Sequence, residues 1–429
     1  FMKNDGLVNV RELNGSAFEG QLNIGAAIDD KLYERDLDRT SGSSSSNTDN
    51  GAYKGDDLAF QYNLGKGNDL LNLSLSSKVA GDQDFSLNVN GGAGNDQVLF
   101  KFVDTAGALA TANAAQKVLN NVTLNGGEGN DTITTQGAGD AIINGGAGND
   151  AVYVTNDAAT RATWAHNVNG ANGAVALTAA QFYSVTNTTE VVVDFMGLTI
   201  KTTVAVTPDA VGGGAKYKVA DFNQAVKSAI NNDPVLSKLL VAHDGGGDAF
   251  GLHITSLFTG VLATGDLVIN VGQPGQLIAP PTLVLTGGAD SASESDSVIA
   301  GGAGNDVIVL GSHANSNDTV VIDAANNGID TIIGFEAGAG ADVIQLAKGG
   351  IAVYESMTLA ADGTLATTGT DLVVPGSTAG VVNGVFYGVI YDTVNDTAML
   401  YQGNAGADGI ANAGDSVQLV GVLTGIAVG

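Results

Sequence analysis

The chain contains no cysteine, only 17 lysine and arginine residues, and few aromatic side chains, which make up 6% of its 429 residues. Without cysteine, no disulfide stabilises the fold, whichever compartment holds the protein. The basic residues face 45 aspartates and glutamates, so the formal net charge is -28 at pH 7. This charge repels polyanions, and no basic stripe exists that could hold their phosphates. We therefore expect no nucleic-acid partner.

Long apolar runs and glutamate are scarce as well. No window approaches the roughly 18 uninterrupted apolar residues of a membrane-spanning helix, so we expect no membrane-spanning segment. Glutamate occurs eight times and aspartate 37 times. Aspartate is typical of turns, caps and metal-binding loops. The apolar share of 44% is sufficient for a core built from valine, isoleucine, leucine and alanine.

Glycine, by contrast, is abundant, and it recurs in a nine-residue repeat. Four segments fit the pattern G-G-x-G-x-D-x-U-x, in which U is a large aliphatic residue, and a fifth lacks only the first glycine. The four are residues 91–99, 126–134, 145–153 and 301–309, and the fifth is 65–71. Asparagine precedes the aspartate in all five. Because chance should give such a pattern less than once in this length, the repeat indicates a repetitive fold.

The repeat has the chemistry of a metal-binding loop. Glycine supplies positive φ angles and lets carbonyl groups converge, and the aspartate presents a carboxylate to them. Oxygen ligands without histidine or cysteine select calcium. The candidate carboxylate ligands are Asp69, Asp96, Asp131, Asp140, Asp150, Asp296, Asp306, Asp330 and Asp342. Whether the more degenerate positions contribute stays open; these include Asp82, Asp84, Asp290 and Asp318.

Each repeat continues into a short strand with period-two burial. The expected buried residues are Val98, Phe100, Ile133, Val152, Val154, Ile308 and Leu310. Loop, strand, loop and strand form one coil, and stacked coils align the five repeat aspartates on one edge and Asp140 with Asp296 on the other. Carboxylates stacked about 4.8 Å apart repel by about 3–4 kcal/mol per pair at an effective dielectric near 20. We therefore expect ion binding and folding to be coupled. The alternative is that the bends are plain hairpin turns.

On these repeats the chain resembles the RTX family of secreted calcium-binding proteins. The resemblance implies a mainly β fold, a calcium-binding parallel β-roll, with the repeat aspartates as ligands. It also implies that backbone carbonyls of the odd loop positions complete the shell. Those residues are Gly91, Ala93 and Asn95, with Asn130, Asn149 and Asn305 at equivalent positions. Long insertions depart from the family pattern and put an unbroken row of ions in doubt.

Composition divides the chain into five segments. They are an N-terminal arm and serine-rich linker (1–50), a first repeat block with a short insertion (51–155), an inserted α+β module (156–285), a second repeat block (286–348) and a C-terminal capping and secretion-signal region (349–429). The arm is expected either to dock on a neighbouring molecule or to pack locally against the roll. In the module, Asp221 and Asp233 are expected to begin helices.

The C-terminal segment carries a second resemblance. Residues 389–392, 400–401 and 415–428 are similar in pattern to the C-terminal region of type I secretion substrates. This resemblance implies export of the unfolded chain, with the type I secretion apparatus as a partner. A β segment that caps the roll is the other interpretation, and the two are compatible.

No catalytic constellation is recognisable. The four histidines, His166, His243, His253 and His313, form no zinc-protease motif, and there is no nucleophile elbow. The sequence therefore predicts a non-enzymatic, extracellular or cell-surface structural protein that binds calcium and assembles with itself into a filament or surface layer. The alternatives are a calcium-dependent adhesin with a cell-surface glycan as partner, and an extracellular polysaccharide-acting enzyme.

Overall fold

The computed structural model describes residues 2–32, 58–81, 85–111, 121–157, 160–166, 188–205, 219–245, 248–273, 276–278, 283–291, 293–311, 316–322, 328–337, 342–346, 352–354, 357–359, 365–368, 371–372, 385–392, 397–404, 416–424 and 427–428. The chain divides into two compact units, of which the first comprises Phe1–Asp157 and Ser291–Gly429 and the second Ala158–Asp290. Among the described residues, no helix is both long and apolar enough to cross a bilayer.

The N-terminal part of the first unit consists of short strands. They are β1 (Met2–Val8), β2 (Glu12–Asn14), β3 (Leu22–Ile28), β4 (Leu58–Asn63), β5 (Leu70–Ser76), β6 (Phe85–Ala93), β7 (Gln97–Val103), β8 (Val122–Glu128), β9 (Thr132–Gln136), β10 (Ile142–Ala147) and β11 (Ala151–Tyr153). Two single turns of helix accompany them, α1 (Asp30–Leu32) and α2 (Ser77–Ala80).

The second unit contains both helices and antiparallel sheets. Its elements are β12 (Thr163–His166), β13 (Thr188–Phe195), β14 (Leu198–Ala205), α3 (Val219–Asn232), α4 (Leu236–Leu239), β15 (Leu240–Gly245), β16 (Asp248–Ser256), β17 (Leu267–Gln273), β18 (Gln276–Ile278) and β19 (Val284–Thr286). The strands form two four-stranded sheets, in the orders β15-β16-β12-β19 and β14-β13-β17-β18. Helix α3 begins two residues before Asp221, so the expectation that Asp221 begins this helix was wrong. Asp233 accepts the backbone N–H groups of Val235 and Leu236 at the start of α4.

The first unit resumes after the second with further strands. They are β20 (Val298–Ala303), β21 (Val307–Val309), β22 (Thr319–Ile322), β23 (Asp330–Ile333), β24 (Glu336–Ala337), β25 (Val343–Leu346), β26 (Ala352–Tyr354), β27 (Met357–Leu359), β28 (Leu365–Thr368), β29 (Asp371–Leu372), β30 (Val385–Asp392), β31 (Thr397–Asn404), β32 (Ser416–Thr424) and β33 (Ala427–Val428).

Two parallel arrays organise the first unit, and the chain alternates between them. The larger sheet runs β1-β3-β5-β7-β9-β11-β21-β23-β32-β31-β30-β26-β29, and the smaller runs β2-β4-β6-β8-β10-β20-β22-β25. Successive strands therefore enter opposite sheets, and one strand of each makes a coil. The second unit leaves the coil after β11, yet β20 pairs in register with β10 and β21 with β11. The predicted mainly β class, with parallel sheets, is confirmed.

The core lies between the two sheets, and the predicted alternation holds in β7 and β9, whereas every residue of β11 and β21 is buried. Val98, Phe100 and Ile133 are buried, as are Val152, Val154, Ile308 and Leu310. Burying an aliphatic side chain of this size stabilises the fold by about 1.5–3 kcal/mol. Because few of these side chains are aromatic, the two sheets are held together by many such small contributions.

Of the two alternatives for the N-terminal segment, the described strands show local packing against the coil. Strands β1 and β3 pair in parallel, β3 pairs with β5, and Leu22, Ile24 and Ile28 are buried in the common core. The alternation of apolar residues in β3 extends the coil toward the N-terminus, so residues 2–28 are not a free arm. The serine-rich stretch 41–46, and also Asp82 and Asp84, lie outside the described residues.

The C-terminal strands continue the larger sheet beyond the repeats. Strands β30, β31 and β32 form an antiparallel meander, and β32 pairs in parallel with β23. The meander thus adds directly to the last repeat strand of that sheet.

Candidate functional site

Six aspartates, one from each of six successive coils, form a continuous column that we call the aspartate row. In each neighbouring pair, the backbone N–H of one aspartate donates to Oδ1 of the aspartate in the next coil. The successive N–O distances are 2.7 Å from Asp69 to Asp96, 2.7 Å to Asp131, 2.8 Å to Asp150, 2.7 Å to Asp306 and 3.1 Å to Asp330. The carboxylates therefore hold the coils in register by bonds that run along the coil axis.

The second unit does not interrupt this row. Asp150 and Asp306 are 156 positions apart in the chain, yet the Asp150 N–H donates to Asp306 Oδ1 at 2.7 Å. Both residues end the same Gly-Gly-x-Gly-x-Asp loop, so the same local geometry forms on each side of the insertion. The five repeat aspartates predicted to share an edge are brought together there, and Asp330 joins them.

The row is buried, although it consists of ionisable groups. Its members are at most 2% exposed. Asp69 uses both oxygens, because Oδ1 accepts the Leu22 N–H at 2.7 Å and Oδ2 accepts the Gly65 N–H at 2.6 Å. In Asp96 and Asp131, Oδ2 has no hydrogen-bond partner within the described part of the chain. Burying a carboxylate oxygen without a hydrogen-bond partner costs free energy, and a ligand bound at these two oxygens would offset that cost.

The pKa values reflect this burial. Desolvation raises the pKa of Asp96 to about 7, with the charges of Asp131 and Asp69 adding to the shift and the hydrogen bond from the Asp69 N–H opposing it. Burial likewise raises the pKa of Asp131. For Asp330, burial and the charge of Asp306 raise the pKa to about 7. Without a counter-charge, burial therefore opposes ionisation of Asp96, Asp131 and Asp330.

Glycine is required where the loops stack. A Cβ added to Gly91 would lie 2.2 Å from the Gly126 carbonyl oxygen and 2.6 Å from Asp96 Oδ2. At Gly126 the same atom would lie 2.3 Å from the Gly145 oxygen and 2.4 Å from Asp131 Oδ2. Carbonyl oxygens of one coil and carboxylate oxygens of the next thus converge, and only the absence of side chains permits this approach.

The asparagine before each aspartate has a structural role of its own. These residues form an exposed loop asparagine row, in which Oδ1 of each accepts the backbone N–H of the following one. The distances are 2.9 Å for Asn68 to Asn95, 2.8 Å to Asn130, 2.7 Å to Asn149 and 2.8 Å to Asn305. The predicted ligand residues Asn95, Asn130, Asn149 and Asn305 are therefore placed together beside the aspartate row.

The carbonyls at the third loop position also have partners. Those of Glu128, Ala147 and Ala303 accept the N–H of Gly94, Gly129 and Gly148 at 2.7–2.8 Å. In the first full repeat, Ala93 donates its N–H to the Gly65 carbonyl at 3.1 Å. In the geometry described, these carbonyls join neighbouring coils.

The other edge of the coil brings Asp140 and Asp296 together as predicted, but at a position outside the core. Asp140 and Asp296 do stack, since the Asp296 N–H donates to Asp140 Oδ1 at 2.9 Å. They lie, however, at the outer position that asparagine takes on the first edge, and neither is buried. The inner position is taken in turn by Ala141, Ser297, Asp318 and Asp342.

Asp318 is a candidate residue that the sequence left open. It is fully buried, and its Oδ1 accepts the N–H of Ser297 at 2.9 Å and the hydroxyl of Ser295 at 3.2 Å. Burial, reinforced by the charge of Asp342, raises its pKa to about 8. The Asp318 N–H donates to Asp342 Oδ1 at 2.9 Å, and burial raises the pKa of Asp342 to about 6.

The donor set fits a hard divalent cation in its chemistry. The inner groups are carboxylate, hydroxyl and carbonyl oxygens, the ligands that calcium prefers, and histidine and cysteine are absent from them. No cluster of three or more acidic, histidine or cysteine side chains occurs in the described part of the chain. A cation in these bends would therefore take much of its shell from backbone carbonyls, with Asp96 and Asp131 supplying unpartnered oxygens.

The histidines lie in the second unit where they are described. The rings of His243 and His253, on paired strands, are 5.7 Å apart. His243 Nδ1 contacts the Asp244 backbone carbonyl at 2.8 Å, whereas the Asp244 carboxylate pairs with the buried Lys227. Although His243 and Asp244 are adjacent in sequence, they therefore do not form an acid-base pair. His313 lies outside the described residues.

Comparison of the chain with protein-family models, with curated proteins and with solved structures gave no match in any of the three.

Proposed function

We propose that the chain is a secreted calcium-binding structural protein, a β-roll of the RTX kind that folds and assembles with itself in calcium. The aspartate row carries this proposal. Six buried carboxylates stacked in successive coils are arranged at the cost of desolvation and mutual repulsion. A divalent cation bound beside them would supply the positive charge that the protein itself lacks.

Calcium is favoured over other divalent cations by the donors that are present. Carboxylates of the aspartate row and of Asp318 and Asp342, together with backbone carbonyls of the glycine loops, form an all-oxygen set. The loops are held by hydrogen bonds between coils, which allow some adjustment of the oxygens. Such a site suits a large cation with variable coordination better than magnesium, which demands near-ideal octahedral geometry.

Coupling between calcium and folding accounts for an extracellular location. Where calcium is scarce, like charges in the row oppose coil stacking, and the chain stays open enough for export by a type I secretion apparatus. Where calcium is abundant, the coils close. Sites of the extracellular class bind calcium with dissociation constants on the order of 10⁻⁴–10⁻³ M. We expect affinities in this range for the row.

Open sheet edges offer a route to self-assembly. Within the described residues, the smaller sheet ends in β2 on one side and β25 on the other, and each presents an unpaired backbone edge. Strand addition between copies, head to tail, would extend the coil into a filament or, with lateral contacts, a surface layer. Because residues 2–28 pair within the coil and do not form a free arm, the self-assembly proposal rests on these two edges.

A calcium titration followed by imaging tests both parts of the proposal. Far-UV circular dichroism of the protein in chelator should show a reduced β signal from a marginally stable folded fraction, and the signal should rise cooperatively as free calcium reaches the millimolar range. Magnesium at equal concentration is the control and should be less effective. Electron microscopy of the same calcium-loaded sample should show filaments or sheets that disperse on chelation.

The two parts of the proposal fail separately. A β spectrum that is unchanged by exhaustive chelation would contradict calcium-coupled folding. Single dispersed particles in calcium, with a normal β spectrum, would contradict self-assembly and leave calcium binding standing.

A further inference from the structure

The outer face of the smaller sheet carries a second row of asparagines that the loops do not use. We call Asn63, Asn90, Asn125 and Asn144 the amide row. They lie on β4, β6, β8 and β10 and are direct partners in the parallel register. Asn90 and Asn144 are exposed, and Asn63 and Asn125 are partly exposed. Asparagine is depleted in strands, so four in register have no explanation in strand propensity.

The amide row differs from the loop asparagine row in its hydrogen bonds. Each loop asparagine before Asn305 holds the neighbouring coil through Oδ1, as Asn95 does for the Asn130 N–H. By contrast, the side-chain amides of Asn90, Asn125 and Asn144 make no hydrogen bond to any described protein group. Their donors and acceptors are therefore available to a ligand.

The amide row lines a groove of about 710 Å³ that runs across the strands. The backbone of Gly127, Gly146 and Gly302 contributes to its surface, and the groove extends from β4 to β22. With strands about 4.8 Å apart, it spans roughly 24 Å and presents an asparagine amide on four successive strands, whereas Ala300 and Val321 take the same position on β20 and β22. This length and repetition suit a linear polymer rather than a single small molecule.

The charge of the groove decides the class of polymer. None of its lining residues is acidic or basic, although the chain as a whole carries a formal charge of -28. An anionic polymer would meet that charge with no cation on the face to hold it. A second copy of the chain is proposed to dock at the strand edges β2 and β25, not on this face. A neutral, hydroxyl-rich polymer is not repelled by the charge of the protein. The side-chain amides can both donate hydrogen bonds to its hydroxyl groups and accept hydrogen bonds from them.

We infer that this groove binds a linear neutral polysaccharide through the amide row. The glycine backbone lets the sugar chain approach the sheet closely, and the absence of an aromatic platform makes the interaction weak for each sugar unit. The inference needs neither the calcium sites nor self-assembly, since it rests on the groove itself. It assigns glycan contact to residues of the coil and not to residues of the inserted module.

Affinity electrophoresis of the full chain in calcium tests the inference. The probes are soluble neutral polymers, namely mannan, dextran and linear β-glucan, with alginate and polygalacturonate as anionic comparators. At least one neutral polymer should retard the protein, and the anionic ones should not. In the double variant Asn90→Ala/Asn125→Ala the association constant should fall by about tenfold or more, since each hydrogen bond accounts for several-fold.

The matched control is the double variant Asn23→Ala/Asn72→Ala. These asparagines lie on β3 and β5 of the larger sheet, outside the groove, and their loss should leave binding unchanged. Asn144→Ala alone provides a second groove variant if the double variant shows an altered circular dichroism spectrum. No retardation by any neutral polymer, equal loss in the control, or preference for the anionic polymers would overturn the inference. A groove variant that alters self-association but not glycan retention would overturn it too.

Discussion

Asp131 and Asp140 show how burial separates two residues of the same type in one coil. Asp131 is 2% exposed and belongs to the aspartate row, whereas Asp140 lies at the outer position of the other edge. The charge of Asp131 therefore has a large desolvation cost, while that of Asp140 is solvated. The two residues form a matched pair for testing what the inner charge does.

Asp131→Asn should have opposite effects on stability with and without calcium. In chelator, the amide keeps the Oδ1 acceptor for the Asp96 N–H and removes a buried charge, so unfolding free energy should rise by about 1–3 kcal/mol. In calcium, loss of a charged ligand should raise the calcium midpoint about tenfold, or about 1.4 kcal/mol. Asp140→Asn should change neither quantity by more than about 0.5 kcal/mol. Urea unfolding in each buffer gives these values, and effects of one sign in both would contradict the account.

For individual residues, the sequence predicted the inner position of the aspartates on the first edge, but not the outer position of Asp140 and Asp296 on the other edge. On the first edge, each inner aspartate precedes a buried aliphatic residue by two positions, as Asp131 precedes Ile133. Asp140 precedes the buried Ile143 by three, which moves its side chain to the outer position. Asp318 and Val320 restore the spacing of two. The presence of an aspartate does not show whether it takes the inner or the outer position. The number of positions between the aspartate and the next buried aliphatic residue does.

Strands such as β9 were predictable because they carry their own period-two pattern, in which the buried Ile133 lies between two threonines. In β11 the expected burial of Val152 is found, but Ala151 and Tyr153 are buried as well, so the alternation fails there. The sheets of the second unit were less accessible. Strand β13 pairs with β17 across more than 70 residues, and no local pattern encodes such long-range antiparallel partners.

Stacked loops with buried carboxylates predict an unusual pH dependence for the metal-free protein. Folded-state pKa values of about 7 for Asp96 and Asp330 and about 8 for Asp318 lie above the ordinary value of 3.8. The folded state then binds more protons than the unfolded state between those values. Stability is therefore fully present below about pH 4 and is lost as pH rises through 7 to 8, by up to about 1.4 kcal/mol per pH unit for each group.

The measurement is urea unfolding in chelator from pH 4 to 8, repeated in saturating calcium. In calcium the dependence should flatten or reverse, because protons compete with the cation for the same carboxylates. A metal-free protein whose stability is constant or rises over this pH range would contradict the burial of ionisable groups in the row.

In the whole molecule, the coil is continuous and the second unit is an insertion in its sequence. The coil residues on either side of the insertion lie close together, since Ser293 Oγ donates to Asp157 Oδ2 at 2.5 Å. Coil contacts resume at once, as Asp150 and Asp306 are hydrogen bonded. The sequence predicted an insertion but put the continuity of the row in doubt, because sequence distance does not reveal that both ends return to one place.

Replacement of residues 158–290 by a short glycine-serine linker should therefore leave the coil intact. We expect the variant to fold in calcium, with a calcium midpoint within about twofold of the full chain, because closing a short loop costs little free energy. Circular dichroism during a calcium titration measures this midpoint. A variant that stays unfolded at saturating calcium would show that the second unit is needed to hold the coils together.

The central claim is that a divalent cation lies beside the aspartate row and balances its charge. Anomalous scattering from crystals grown in calcium locates such ions directly. The account predicts peaks between stacked glycine loops, next to the unpartnered oxygens of Asp96 and Asp131. A well-ordered row with no anomalous peak beside it, in crystals grown at millimolar calcium, would contradict the claim.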